Sequence, residues 1–323
     1  MFKLGEKYYY KLYKYFNLEK SFYSPPPTGV CNRIKRLFSF CRINNLDINK
    51  DEIILYWALG HWVTHSFDDL FQIEGGSNIK CYTEFSEEKQ KDIYPPTIAG
   101  WRLYVSESDG ITKDFAKIFP DVYPVIDLEY ERIPQNVRNI YLSYFNKLKP
   151  SKSVQDKIDS LSIDESFVCV HNRNTWDWKS ENRDSDISCF IKEMKKFPST
   201  QKFFLACIEK EISEILNKEF PGQIYELPDK DWSSTVDAIA ELYLLSKGSI
   251  LIGSYLSTFT ECAWWLGGCR QKVIIADMPD IPWYIRRKKD LKPLYKKIRK
   301  KHPVRYYFYK LCGRPDLILY LKV

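Results

Sequence analysis

The sequence predicts an α/β protein built on a parallel, doubly wound sheet, and three observations carry that prediction. Strand-like and helix-like runs rotate strictly through the second half of the chain. They alternate through the first half as well, and the 323 residues have a globular balance of 44% hydrophobic and 28% charged residues. A chain of this length has room for two domains that each bury a core.

Taken in order, residues 1–22 interleave lysines with aromatics, and SPPPTG breaks that pattern before the body begins. PTGVCNRIKRLFSFCR runs from a Pro/Gly turn into a helix. EIILYWAL reads as a strand, a helix-prone segment follows Ser66, and IKCYTEF and WRLYVSE read as further strands. Residues 134–160 are helical by periodicity in two pieces around Pro150, which makes them a hinge to the second half. There ESFVCVHNR and KFFLACI are buried strands, IEKEISEILNKEF is an amphipathic helix and QIYEL a short strand. SSTVDAIAELYLLSKG is a helix, SILIGS a strand, TFTECAWWLGG a helix and KVIIAD a last strand. The expected divisions are 1–22, 23–150, 151–282 and 283–323. In such a sheet ligands bind beyond the carboxyl ends of the strands, and GSILIGSYLSTFTECAWWLGG (248–268) lies at such an end.

The net charge of +7 is unevenly spread. Residues 285–323 carry +12 and residues 1–22 carry +3, which leaves the remainder at −8. Positive charge at the ends argues against a body-wide nucleic-acid surface and for terminal anchoring. No run reaches the ~18 apolar residues of a membrane span, so the body is expected to be soluble and cytoplasmic. Nine cysteines lack a CxxC pair and mostly sit in apolar runs, which reads as reduced core thiols. With four histidines at no ligand spacing, no protein-held metal is expected.

Within 248–268, Thr258 and Glu261 form a T-x-x-E capping pattern. It is either only a cap or, with the added hydroxyls of Ser254 and Ser257 beside a helix N-terminus, a seat for a phosphate. Upstream, His171 and Arg173 stand two apart at the end of a strand and point the same way. They are aimed either at Asp177 or Asp184, or at an anionic ligand. Asp237 reads as the acid of a helix start (S-x-x-D) and stays on the donor-side list of candidates. Glu241, four residues on, is an exposed-face carboxylate or a contact to a base or sugar, the former favoured by spacing alone. Asn32, Arg33, Lys35 and Arg36 crowd the first turns of the earlier helix, where cations oppose the dipole unless an anion lies near.

Together these stretches resemble the fucosyltransferase superfamily that includes the rhizobial nodulation fucosyltransferases, the core α1,6-fucosyltransferases and the protein O-fucosyltransferases. GVCNRIKRLFSF is similar to its G-x-G-N-R/Q turn and helix, with Cys31 in place of the second glycine. VCVHNRN resembles its H-x-R element, with Asn174 where nodulation-type members carry a second arginine. DAIAELYLLSKGSILIGSYLSTFTECAWWLGG resembles its D-L-x-L-L-S…G-S-x-x-S-S/T-F element, and the likeness runs over roughly residues 25–275.

The resemblance implies a GT-B architecture of two Rossmann-like domains facing a cleft, here with basic helical terminal extensions. It implies that Arg173 grips the diphosphate of a nucleotide sugar, that Ser257 and Thr258 bind its oxygens, and that Phe259 packs beneath. Glu241 takes the place of the family's guanine-reading Asp, and Asn32 faces the reacting centre beside Gly29 and Arg33. The implied reaction is an inverting, metal-independent transfer, with GDP-fucose or another nucleotide sugar as donor and a glycan or lipid-linked glycan as acceptor. Arg173, Asn32, Asp177 and Glu261 are the catalytic candidates; Asp177 and Glu261 are the carboxylates to test as general base. The basic, aromatic tail is expected to meet an anionic membrane surface, without nucleic acid. The other reading is a membrane- or nucleic-acid-binding module with a vestigial site.

Overall fold

The computed structural model describes residues 21–24, 29–43, 45–60, 63–84, 135–163, 166–173, 187–254, 257–276, 299–303 and 307. Asp177, Asp184 and Asn174, the WRLYVSE run, residues 1–20 and most of the tail lie outside the described residues.

The second half follows the strand–helix rotation read from the sequence. The strands are β6 (Phe167–Asn172), β7 (Lys202–Cys207), β8 (Ile224–Tyr225), β9 (Ile250–Gly253) and β10 (Lys272–Ile275). The helices between them are α5 (Ile187–Met194), α6 (Lys210–Glu219), α7 (Thr235–Leu245) and α8 (Thr258–Leu266). The strands form one parallel sheet in the order β10-β9-β6-β7-β8. Counted along the chain this is the order of a mononucleotide-binding sheet. The winding reverses between β6 and β9, the position at which sheets of this order usually form a crevice beyond the strand ends.

Alternation along the strands divides the core. Val168, Val170, Phe203, Leu205, Cys207 and Ile252 pack with Phe190 and Met194 of α5 and Ile212 and Leu216 of α6. Cys169, Phe204, Ala206 and Leu251 face the other way, towards α7 and α8. His171 shares the parity of Cys169, so it too faces α8.

The first half holds a three-stranded parallel sheet in the order β1-β2-β4, from β1 (Ser21–Ser24), β2 (Glu52–Trp57) and β4 (Asn78–Tyr82). The buried positions of β2, Ile53, Leu55 and Trp57, alternate with half-buried ones. Helix α1 (Val30–Ile43) leaves the carboxyl side of β1, and α2 (Phe67–Leu70) starts at a complete capping box between Ser66 and Asp69.

The segment read as two helices around Pro150 differs from expectation in one detail. Between α3 (Gln135–Phe145) and α4 (Lys152–Asp159) lies a short strand, β5 (Leu148–Pro150), antiparallel to β3 (Phe71–Ile73). Pro150 sits at the strand's last position, where a missing amide is tolerated.

The described halves share one hydrophobic core. Trp265 of α8 stacks on Phe145 of α3 at 5.5 Å and lies 5.9 Å from Tyr141, while Phe38 of α1 meets Phe145 edge-on at 4.8 Å. The Arg138 guanidinium covers Trp264. All eight described cysteines are free thiols, five of them buried. Among the described residues no helix is long and apolar enough to cross a membrane.

Candidate functional site

The carboxyl ends of β6 and β9 are tied together at the reversal point. The Ser254 amide and hydroxyl both donate to the His171 carbonyl, at 3.2 Å, and the Ser254 hydroxyl accepts from the Arg173 amide at 2.7 Å. Ser254 therefore acts on the backbone of the Arg173 strand, fixing where the guanidinium leaves it.

Helix α8 starts at this crevice. Its N-cap is Ser257, whose hydroxyl accepts from the Thr260 amide, so the cap is not the Thr258–Glu261 box that the sequence suggested. Neither the Thr258 nor the Phe259 amide has a backbone acceptor among the described residues. Amides at a helix start attract an anion.

His171 is buried and held from two sides. Its Nδ1 lies 2.8 Å from the Thr260 hydroxyl and 3.4 Å from that of Ser257, and its ring stacks on Phe259 at 4.8 Å. Burial first, then the charges of Arg173 and Lys230, push it down to about 3, so it is neutral at ordinary pH. Gly253 permits this packing, because a methyl group there would lie on the Thr260 side chain, with its hydroxyl at 2.7 Å.

Arg173 is half-buried, and no carboxylate among the described residues pairs with it. Burial lowers its pKa, and among its neighbouring groups is Cys31 at the start of α1. At that helix start the Gly29 carbonyl accepts from the Asn32 and Arg33 amides, and the buried Asn32 Oδ1 has no hydrogen-bond partner among the described residues. Asn172, 1% exposed on the opposite face of β6, also lacks partners among the described residues for both amide atoms.

Four of the candidates read from the sequence have structural partners instead. Glu261 cannot serve as general base: its carboxylate is paired with Lys35 of α1 inside the protein, at 1% and 0% exposure, and accepts from Trp265 Nε1 at 3.2 Å. The anionic neighbour that the α1 cations called for is thus Glu261 itself. Arg33 is likewise internal, donating to the Ala58 carbonyl at 2.6 Å over the Trp57 ring. Asp237 is buried and accepts from Lys157 at 3.2 Å and from the Asp231 amide at 2.8 Å, the helix-start acid of the sequence reading. Glu241 is not on an exposed face. It is buried on α7 and accepts from Lys230 at 2.6 Å.

Lys230, the partner of Glu241, is a residue that no sequence motif singles out. Its ammonium also donates to the Cys207 carbonyl at the end of β7, 2.7 Å away, and stands 3.9 Å over the ring of Trp232. Burial outweighs this lysine and raises the Glu241 carboxyl to about 7.

No family model matches the chain, and no curated protein matches it in sequence. Among solved structures it is similar to the Bradyrhizobium NodZ α1,6-fucosyltransferase soaked with GDP-fucose. That pair has 16% identity over 76% of this chain and 92% of that one, with a TM-score of 0.44. It is similar to POFUT1 in complex with GDP at 12% identity, 79% and 97% coverage and a TM-score of 0.44. A mutant of Arabidopsis thaliana FUT1 in complex with GDP gives 18% identity, 85% and 77% coverage and a TM-score of 0.46.

Proposed function

We propose that this chain is an inverting glycosyltransferase that moves a sugar, fucose by its sequence motifs, from a nucleoside diphosphate donor to a glycan. The observation that carries the reading is Arg173, a half-buried guanidinium without a carboxylate partner among the described residues. It leaves the sheet at its reversal point, where the Thr258 and Phe259 amides of α8 have no backbone acceptor among the described residues. A buried cation without a partner is costly unless an anion completes it.

As an acceptor hydroxyl attacks the anomeric carbon, the bond from that carbon to the phosphate oxygen breaks, and negative charge grows on the leaving diphosphate. In this reading Arg173 and the α8 amides neutralise it, which is the main requirement of a transfer through an oxocarbenium-like state. These contacts need no metal, so turnover is expected to persist in EDTA. Glu261 is committed to Lys35, which leaves Asp177 as the general-base candidate. In this reading residues 23–150 and 151–282 form the two GT-B domains, and the protein works in the cytoplasm at a membrane surface.

A thermal-shift panel of GDP-, UDP-, CMP- and dTDP-sugars tests the proposal. A ligand that binds only the folded state raises its melting temperature. A rise with GDP-fucose is expected, and no rise with any of the four sugar classes overturns the reading.

A further inference from the structure

We infer that Lys230 is a second cation for the diphosphate, held in reserve by Glu241. On donor binding its ammonium turns from the carboxylate to a phosphate oxygen, and the leaving group lies between Lys230 and Arg173. This rests on the donor site proposed above.

The inference starts from the order of strand ends. Ser254 and the start of α8 stand at β9, His171 and Arg173 at β6, and Lys230 at β7, bound to the carbonyl of Cys207. Cys207 is the register partner of Asn172, so Lys230 is bound to the strand next to the one that leads into Arg173. The charges of both cations reach the same buried imidazole, His171. The carboxylate of Glu241 is paired with one of these cations. Lys230 has it, and Arg173 has no carboxylate among the described residues. A diphosphate is an anion large enough to touch two such cations.

The local chemistry lets the lysine move. An ammonium is a compact charge on a flexible stem with rotatable donors, unlike a guanidinium. The Trp232 ring, 38% exposed, gives it a cation–π seat that survives a change of hydrogen-bond partner. The carboxylate left behind need not stay charged. Burial raises Glu241 to about 7, and Glu226 and Asp237 push it the same way against Lys230, so it takes up a proton near neutral pH.

Calorimetric titration of the full chain with inorganic pyrophosphate tests the inference, with melting curves to confirm folding. Lys230→Met should bind about tenfold more weakly, the usual scale of one charge-assisted hydrogen bond, and Lys230→Arg should retain binding. Glu241→Gln keeps the shape but releases the lysine, and should bind pyrophosphate severalfold more tightly. A gain of affinity cannot come from misfolding, so this variant decides the matter if Lys230→Met fails to fold. Unchanged or weaker binding by Glu241→Gln overturns the inference, as does unchanged binding by a folded Lys230→Met. If Arg173→Ala still weakens binding in that event, the donor site stands without Lys230. Pyrophosphate binding insensitive to Arg173 as well overturns the donor site itself.

Discussion

Arg173 and His171 share one strand end and one neighbour, yet they differ in charge, and that difference gives two measurements. Arg173→Ala should lower turnover by two orders of magnitude or more while the protein stays folded, because a group acting on transition-state charge is worth ~3 kcal/mol. Near-normal turnover in a folded variant would remove Arg173 from the reaction. His171 is held at about 3 against an ordinary 6.5, so between those values the unfolded chain binds the extra proton. The stability it contributes is present above pH 6.5 and is lost as pH falls towards 3. Melting temperatures should decline over that window, and His171→Gln should flatten the decline; an unchanged slope would show that His171 is not the group responsible. H-x-R is legible as a pair because residues two apart on a strand share a face. The pairing of Lys35 with Glu261 is not legible, because the contact joins positions 226 apart and neither motif points to the other. Lys230 escapes for a similar reason: a lone lysine in PDKDW looks solvated until the end of β7 is seen beside it.

At the scale of elements, the start of α8 is placed by its junction with α1 as much as by its own cap. The Lys35–Glu261 pair lies wholly inside, where breaking a pair by removing one partner costs about 3–5 kcal/mol, while replacing both with apolar groups is close to neutral. Lys35→Met should therefore lower the denaturant midpoint sharply, and Lys35→Met with Glu261→Leu should recover most of the loss. If the double variant is as unstable as the single one, the pair does more than fill space. The strands and helices of the second half can be read because buried strands and amphipathic helices have distinct periods. Several elements escape. Helix α5 follows a stretch without clear periodicity, and β1, β3 and β5 are only three or four residues long, too short for alternation to register. The capping pattern misses the N-cap by one residue because S-T-F-T offers three closely spaced hydroxyls, and only backbone geometry selects Ser257.

For the molecule as a whole, positive charge is concentrated at the two ends of the sequence. Residues 285–323 carry +12 among aromatic residues, and they should bind anionic lipid at roughly 1 kcal/mol per basic residue that reaches the surface. Co-sedimentation with anionic vesicles should be strong for the full chain, weakened by salt, and lost in a chain ending at Pro282. Equal sedimentation of both chains would remove the anchor. Tight, salt-sensitive gel shifts of duplex DNA or RNA by the tail would favour a nucleic-acid role instead.

The shared core has a consequence for how the protein is made. Helix α1 is covered by Trp265 and its neighbours through Phe145, and its buried lysine waits for Glu261. A chain emerging from the ribosome at roughly 5–20 residues per second usually folds its first domain before the second appears. Here Lys35 lacks its Glu261 partner, and the early helix has an incomplete apolar cover, until the segment around residue 265 has been synthesised. The nascent first half must pass most of its synthesis with that surface open, which makes it a natural client for chaperones that bind exposed apolar segments.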